Sequence, residues 1–176
     1  MVAVTGSPAE PQVIDRRRIE IADPTTAGSV QPYHTARDLG ITKAQKYLDR
    51  SRAAATELAA AELRKVMNDL GGRAIACGIL MGSGKVPGTL EATLASHPAI
   101  HTAEGEFFRE TIIEAAAACK LRLRKVREKE LFAVAGLQFG MPSEELRGRI
   151  DRLGKILGPP WRQDEKYAAL VAWLAW

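Results

Sequence analysis

Four acidic residues stand at predicted ends of strands and helices, where carboxylates are well placed for chemistry. Glu104 and Glu106 lie in Thr-Ala-Glu-Gly-Glu-Phe-Phe, where a predicted short strand over 99–103 gives way to a helix. Proteins of the α/β class place their chemistry at such strand ends. Asp164 precedes the last predicted helix, and Asp23 ends the first predicted strand. These carboxylates are therefore candidate functional residues of the chain.

Each of these acids also has an ordinary structural interpretation. The helix dipole favours an acid in the first turn of a helix, which accounts for Glu106, and Asp164 is suited to be an N-cap. Asp23 precedes Pro24, a pair typical of turns. Glu104 is the least well explained in this way, because a carboxylate beside an apolar strand needs a partner.

A dense basic run occupies residues 120–129. Arg122 and Arg124 fall on one face of a predicted strand, next to Lys125. Such a face can contact phosphates, which makes these three residues candidates for nucleic-acid binding. No aromatic residue is interleaved, so a stacking platform for single strands is not indicated. A solvated edge strand protected by its charge is the alternative interpretation.

The histidines and the glycine-rich segment give weaker signals. His97 and His101 are four residues apart, but Pro98 lies between them, so we expect no shared helical face. Without a third ligand in view, we expect His34 and these two to be ordinary polar residues and not a zinc site. The Gly-Ser-Gly-Lys segment at 82–85 lacks the first glycine and the Ser or Thr of a phosphate loop. It suits a glycine turn or, less simply, a backbone nest for an anion.

The elements that must position these residues alternate between strand and helix, which predicts an α/β fold. Short alternating or apolar runs predict strands at 19–22, 73–81, 99–103 and 121–126. Helical periodicity predicts helices at 42–70, 87–96, 107–119, 128–138, 143–157 and 164–175. The first of these helices is long and rich in alanine, the best helix former. Residues 1–16 are expected to be a disordered arm, and 17–176 a single α/β domain.

Composition limits the class of protein. The chain has 176 residues, of which 46% are apolar and 26% charged, an ordinary globular composition with a net charge of +4. No apolar run is long enough to span a membrane, and the first residues lack the apolar segment of a secretory signal. Cys77 and Cys119 are the only cysteines. We therefore expect a cytoplasmic protein with two buried thiols and no membrane partner.

Taken in order, the acids and elements resemble the ribonuclease H-like nucleases, specifically the Holliday-junction resolvases. That family has an Asp on its first strand, often followed by Pro, and Asp23 resembles it. It has a Glu at the end of its fourth strand, which Glu104 resembles, and one or two Asp residues at the start of its last helix, which Asp164 resembles. Tyr167 stands where the family has its second Asp in that helix.

The resemblance is good over 70–176 and poor over 17–70, and it implies a bacterial protein with a ribonuclease H-like mixed sheet flanked by helices. The activity it implies is metal-dependent hydrolysis of nucleic acid phosphodiesters. Two Mg²⁺ or Mn²⁺ ions about 3.5–4 Å apart would stabilise the attacking and leaving oxygens. The implied metal ligands and catalytic residues are Glu104, Asp164 and Asp23. The residues that would guide the nucleic acid backbone are Arg122, Arg124 and Lys125.

A non-catalytic binding or scaffold protein on the same fold is the alternative hypothesis, favoured by Tyr167. Aromatic side chains are enriched at interfaces. Such a protein would form a homodimer through the long helix and the tryptophans near the C-terminus, Trp161, Trp173 and Trp176. A nucleotide-binding protein that uses the Gly-Ser-Gly-Lys segment is a third hypothesis.

Overall fold

The protein has a mixed α/β fold, seen in a computed structural model that describes the whole chain, Met1–Trp176. Its strands are β1 (Val2–Gly6), β2 (Pro11–Arg16), β3 (Ala76–Met81) and β4 (Arg122–Arg127). Its α-helices are α1 (Pro32–Arg37), α2 (Ile41–Asp69), α3 (Leu90–Leu94), α4 (His97–Ala118), α5 (Leu131–Phe139), α6 (Ser143–Leu153) and α7 (Gln163–Leu174). None of the helices is both long and apolar enough to cross a bilayer.

The chain divides into two compact units. The helical unit consists of Glu20–Ala74 and Gly82–Lys120 and contains α1 to α4. The sheet unit consists of Met1–Ile19, Ile75–Met81 and Leu121–Trp176 and contains all four strands with α5 to α7. That residues 17–176 form a single domain remains a prediction.

The sheet unit holds two separate pairs of strands. β1 and β2 form an antiparallel hairpin, and β3 and β4 pair in parallel, with Ile79 opposite Lys125. α7 packs on β1 and β3. The core of this unit includes Trp173, which is fully buried and stacks on Phe139 with ring centroids 4.2 Å apart. Its indole N–H donates to the Pro8 carbonyl at 3.2 Å.

The helical unit is built on α2 and α4, which pack side by side and run in the same direction. Arg52 reaches Glu110, and one turn further along Thr56 reaches Glu114. Alanines face the interior of the unit on both helices, and their small side chains let the two backbones approach. α1 packs against both α2 and α4.

Three predictions about local structure are wrong. Residues 1–16 are not a disordered arm, because Ser7 and Glu10 exchange backbone hydrogen bonds in a tight turn that joins β1 to β2. Residues 19–22 form no strand, so Asp23 ends none. Residues 99–103 are helical, because Pro98 falls in the first turn of α4, where a missing backbone N–H costs nothing.

The prediction that tryptophans near the C-terminus form a homodimer surface is also wrong in part. Trp173 lies in the core of the sheet unit and cannot contact a partner. Trp161 is partly buried, packs against Gly154 and donates its indole N–H to the Ile150 carbonyl at 2.9 Å. Only Trp176 exposes a large part of its surface, 42%. The three tryptophans therefore do not form one exposed surface.

Candidate metal centre

All three histidines of the chain meet in the helical unit. His97 and His101 lie one turn apart on α4, with their Nε2 atoms 3.1 Å from each other. His34 comes from α1, and its ring centroid lies 4.8 Å from that of His101 and 5.5 Å from that of His97. One ring nitrogen from each histidine falls within 4.8 Å of the others.

Two features of the sequence bring these rings together. Pro98 begins α4 instead of breaking it, so His97 and His101 take the i and i+4 positions of one helical face. The expectation that Pro98 would separate them is wrong for this reason. α1 is docked on α4 by Tyr33, whose ring meets Phe107 edge-on at 6.2 Å. This contact places the next residue, His34, against the same helix.

Glu104 holds His34 in place through two hydrogen bonds. Its Oε2 lies 2.9 Å from His34 Nδ1, and its Oε1 accepts from the His34 backbone N–H at 3.2 Å. Glu104 is only 8% exposed, and His34 is the partner that a buried carboxylate needs. When Nδ1 of His34 carries the proton, Nε2 is unprotonated and its lone pair is free. A carboxylate that fixes a histidine in this way is the usual outer shell of a metal ligand.

The spacing of the His97 and His101 nitrogens suits a tetrahedral transition metal. Zinc binds histidine nitrogen at about 2.0–2.1 Å, which places two ligand nitrogens of a tetrahedron about 3.3 Å apart. The distance between the Nε2 atoms of His97 and His101 is close to this value. His97 and His101 are both exposed, while the side chain of His34 is 25% exposed. A metal held here would have three protein ligands and one position open to solvent, the arrangement of catalytic zinc sites.

The other acids proposed from the sequence have different surroundings. Asp23 is bonded to the hydroxyls of Thr25 and Thr26, which lower the pKa of its carboxyl. Glu106 pairs with Arg109 at 3.0 Å. Asp164 lies in the first turn of α7, in the sheet unit. The structure thus brings Glu104 to the histidines, and its grouping with Asp23 and Asp164 around Mg²⁺ or Mn²⁺ remains a prediction.

The basic residues and the glycine-rich segment that the sequence singled out lie on β4 and beside α4. Arg122, Arg124 and Lys125 are exposed on β4, and Arg124 donates to the Gln138 side chain at 3.3 Å. The glycine-rich segment 82–85 lies close to α4, where a Cβ on Gly84 would approach Thr102 to 2.5 Å. This close approach accounts for the glycine without a bound anion.

Both cysteines are free and half-buried. Burial raises the pKa of the Cys77 thiol to about 11, so this group stays protonated at neutral pH and is unreactive.

Sequence reasoning missed this centre although one signal was available. His97, His101 and Glu104 follow one another at spacings of four and three, which places all three on one side of a helix. Comparison of the chain with protein-family models, with curated proteins and with solved structures finds no match. The chemistry of the centre therefore has to be inferred from its own geometry.

Proposed function

We propose that this protein binds a divalent transition metal, zinc in the first place, through His34, His97 and His101. The observation that carries the proposal is the convergence of three imidazole nitrogens within 4.8 Å, with Glu104 hydrogen-bonded to the least exposed ring, that of His34. Imidazole selects zinc and its neighbours over Mg²⁺, which prefers carboxylates and water. Glu104 is a positioning residue here, because it acts on the metal through His34.

The chemistry that such a metal supplies is the activation of water. A zinc ion with three protein ligands lowers the pKa of a bound water to about 7 and polarises carbonyl or phosphoryl oxygens. The residues of this chain contribute in two ways. His97 and His101 leave one side of the centre open, and Glu104 keeps the orientation of His34 fixed. These properties favour a hydrolytic role over a structural one, since structural zinc sites are closed by four protein ligands.

Metal titration of the full chain tests this proposal. After treatment with EDTA and dialysis, we expect the protein to bind one Zn²⁺ ion per chain in calorimetry and to be stabilised by it, because a ligand that binds only the folded state raises stability. Mg²⁺ at the same concentration is expected to have no effect. Since every histidine belongs to the centre, all three histidine ring signals in NMR should shift together. Zn²⁺ binding that leaves these signals unchanged would contradict the proposal.

Glu104→Gln is expected to weaken Zn²⁺ binding by about 10- to 100-fold, the usual effect of losing an outer-shell carboxylate. The amide keeps the size of the side chain but no longer favours the proton on Nδ1 of His34. Glu106→Gln is the matched control, because Glu106 lies two residues away and pairs with Arg109 instead. Calorimetry on both variants checks the prediction. Equal Zn²⁺ affinities of the two variants would remove Glu104 from the centre.

A second candidate function is the metal-dependent nuclease of ribonuclease H-like type that the sequence resembles. The observation that favours it is the exposed basic strand β4, whose Arg122, Arg124 and Lys125 suit contacts with a phosphate backbone. This function would use Mg²⁺ or Mn²⁺ on Glu104, Asp164 and Asp23. Cleavage of a four-way DNA junction with Mg²⁺, lost in Asp164→Asn, would favour the nuclease. Cleavage that persists in Glu104→Gln would exclude the centre of Glu104, Asp164 and Asp23 as the source of the activity.

A further inference from the structure

A small cleft in the helical unit lies between α1, α2 and the segment that leads into α3. Its volume is about 180 Å³. Sites for drug-sized ligands measure about 300–1,000 Å³, so this cleft suits only a much smaller molecule. The polar side chains that line it include Tyr33, Asp49, Arg52 and Thr89, and apolar contact comes from Leu48 and Leu90.

One wall of the cleft presents hydrogen-bond donors. Arg52 uses Nη1 to bind Glu110 at 2.6 Å, and its guanidinium lies over the Phe107 ring, 5.1 Å from the centroid. A guanidinium has five N–H donors, so this anchoring leaves others to face the cleft. Tyr33 also lines the cleft, and burial raises the pKa of its hydroxyl, so this group stays protonated at neutral pH and can donate. Together Tyr33 and Arg52 suit a carboxylate.

A negative charge, that of Asp49, lies one turn before Arg52 on α2. Asp49 lines the same cleft, and Gln45 donates to its Oδ1 at 2.8 Å, which leaves Oδ2 for a ligand. Residues three apart on a helix have Cβ atoms about 5–6 Å from each other. Arg52 nevertheless pairs with Glu110 and Glu114 on α4. Asp49 and Arg52 therefore stand side by side as separate charges at the cleft.

We propose that this cleft binds a free α-amino acid with a small side chain. Its carboxylate would accept from Arg52 and Tyr33, and its ammonium group would donate to Asp49. In the ligand, the carboxylate and the ammonium group are bonded to the same carbon. This short separation matches two protein charges that lie one helical turn apart. Leu48 and Leu90 would contact the side chain. This binding site is independent of the histidine centre and does not require a metal.

Thermal unfolding of the full chain with four probes tests the proposal. The probes are L-alanine, acetate, methylamine and glycine betaine, each at about 10 mM, in buffer with EDTA so that chelation at the histidine centre plays no part. We expect L-alanine alone to raise the melting temperature, by about 2–4 °C. Acetate and methylamine each carry one of the two charges, and betaine has no N–H donor. Equal shifts with acetate and L-alanine, or none with any probe, would overturn the proposal.

Two variants locate the binding. Asp49→Asn should lower the affinity for L-alanine at least about tenfold, because the ammonium group loses its charged acceptor. Arg50→Gln is the matched control, since Arg50 is exposed on the next position of α2 and does not line the cleft. L-Alanine should stabilise this control as it does the unchanged chain. Undiminished affinity in Asp49→Asn would overturn the assignment even if L-alanine binds.

Discussion

Replacing His101 by alanine is expected to lower the affinity for Zn²⁺ by about two to three orders of magnitude. A structural zinc site with four ligands contributes about 10–16 kcal/mol in total, so we expect one ligand to contribute about 3–4 kcal/mol. His101 is the ligand to remove, because its ring lies nearest to both of the others, 4.5 Å from His97 and 4.8 Å from His34. Its side chain is exposed, so alanine there should leave the fold intact.

Calorimetric titration of the metal-free variant measures this loss, and His101→Asp is the companion experiment. Aspartate restores a ligand atom of a different kind, so we expect His101→Asp to bind Zn²⁺ more tightly than His101→Ala. Lys43→Ala, an exposed change on α2, controls for a general effect of surface truncation. Wild-type affinity in His101→Ala would mean that Zn²⁺ binds without His101, which would contradict the proposed three-histidine centre.

Sequence patterns predicted the elements in which apolar residues recur at a regular spacing. The apolar run at 73–81 contains β3, and the alternating run at 121–126 overlaps β4 closely. The helical stripe at 42–70 corresponds to α2, which spans Ile41–Asp69. These elements follow from period and composition, which depend only on neighbours in the chain.

The metal centre depends on contacts between distant residues, which no local pattern encodes. His34 is more than sixty positions from His97, and the two meet only because α1 docks on α4. Pro98 lies in the first turn of α4, where a proline is favourable, so it does not separate His97 from His101. For the same reason 99–103 are helical, and Glu104 lies within α4 and not at the end of a strand.

Glu104 shows that a physical argument can identify a residue that needs a partner without identifying the partner. The sequence indicated that this carboxylate needed a partner, and the structure provides His34 at 2.9 Å. The partner expected was a metal shared with Asp23 and Asp164. The partner found is an imidazole, which moves the inferred metal preference from Mg²⁺ towards zinc. Burial of a charge thus predicts that a partner exists but does not specify its chemistry.

Gly78→Ala is expected to destabilise the sheet unit by about 3 kcal/mol. Gly78 lies in the middle of β3, where α7 crosses it at the Val171 backbone. A Cβ at this position would lie closer than 3.0 Å to the Val171 carbonyl group, and a carbonyl cannot rotate aside as a flexible side chain can. α7 would have to move away from the strand, which opens the core around the buried Trp173.

Gly148→Ala on α6 is the matched control, and its effect should have the opposite sign. The added methyl group would meet only the far end of Arg152, at 3.5 Å, while alanine favours the helix by up to about 1 kcal/mol over glycine. Urea unfolding followed by tryptophan fluorescence measures both variants, because every tryptophan of the chain lies in the sheet unit. If Gly78→Ala unfolds at the same urea concentration as Gly148→Ala, α7 does not lie against β3. The close approach of helix and strand would then not explain why a glycine occupies the centre of β3.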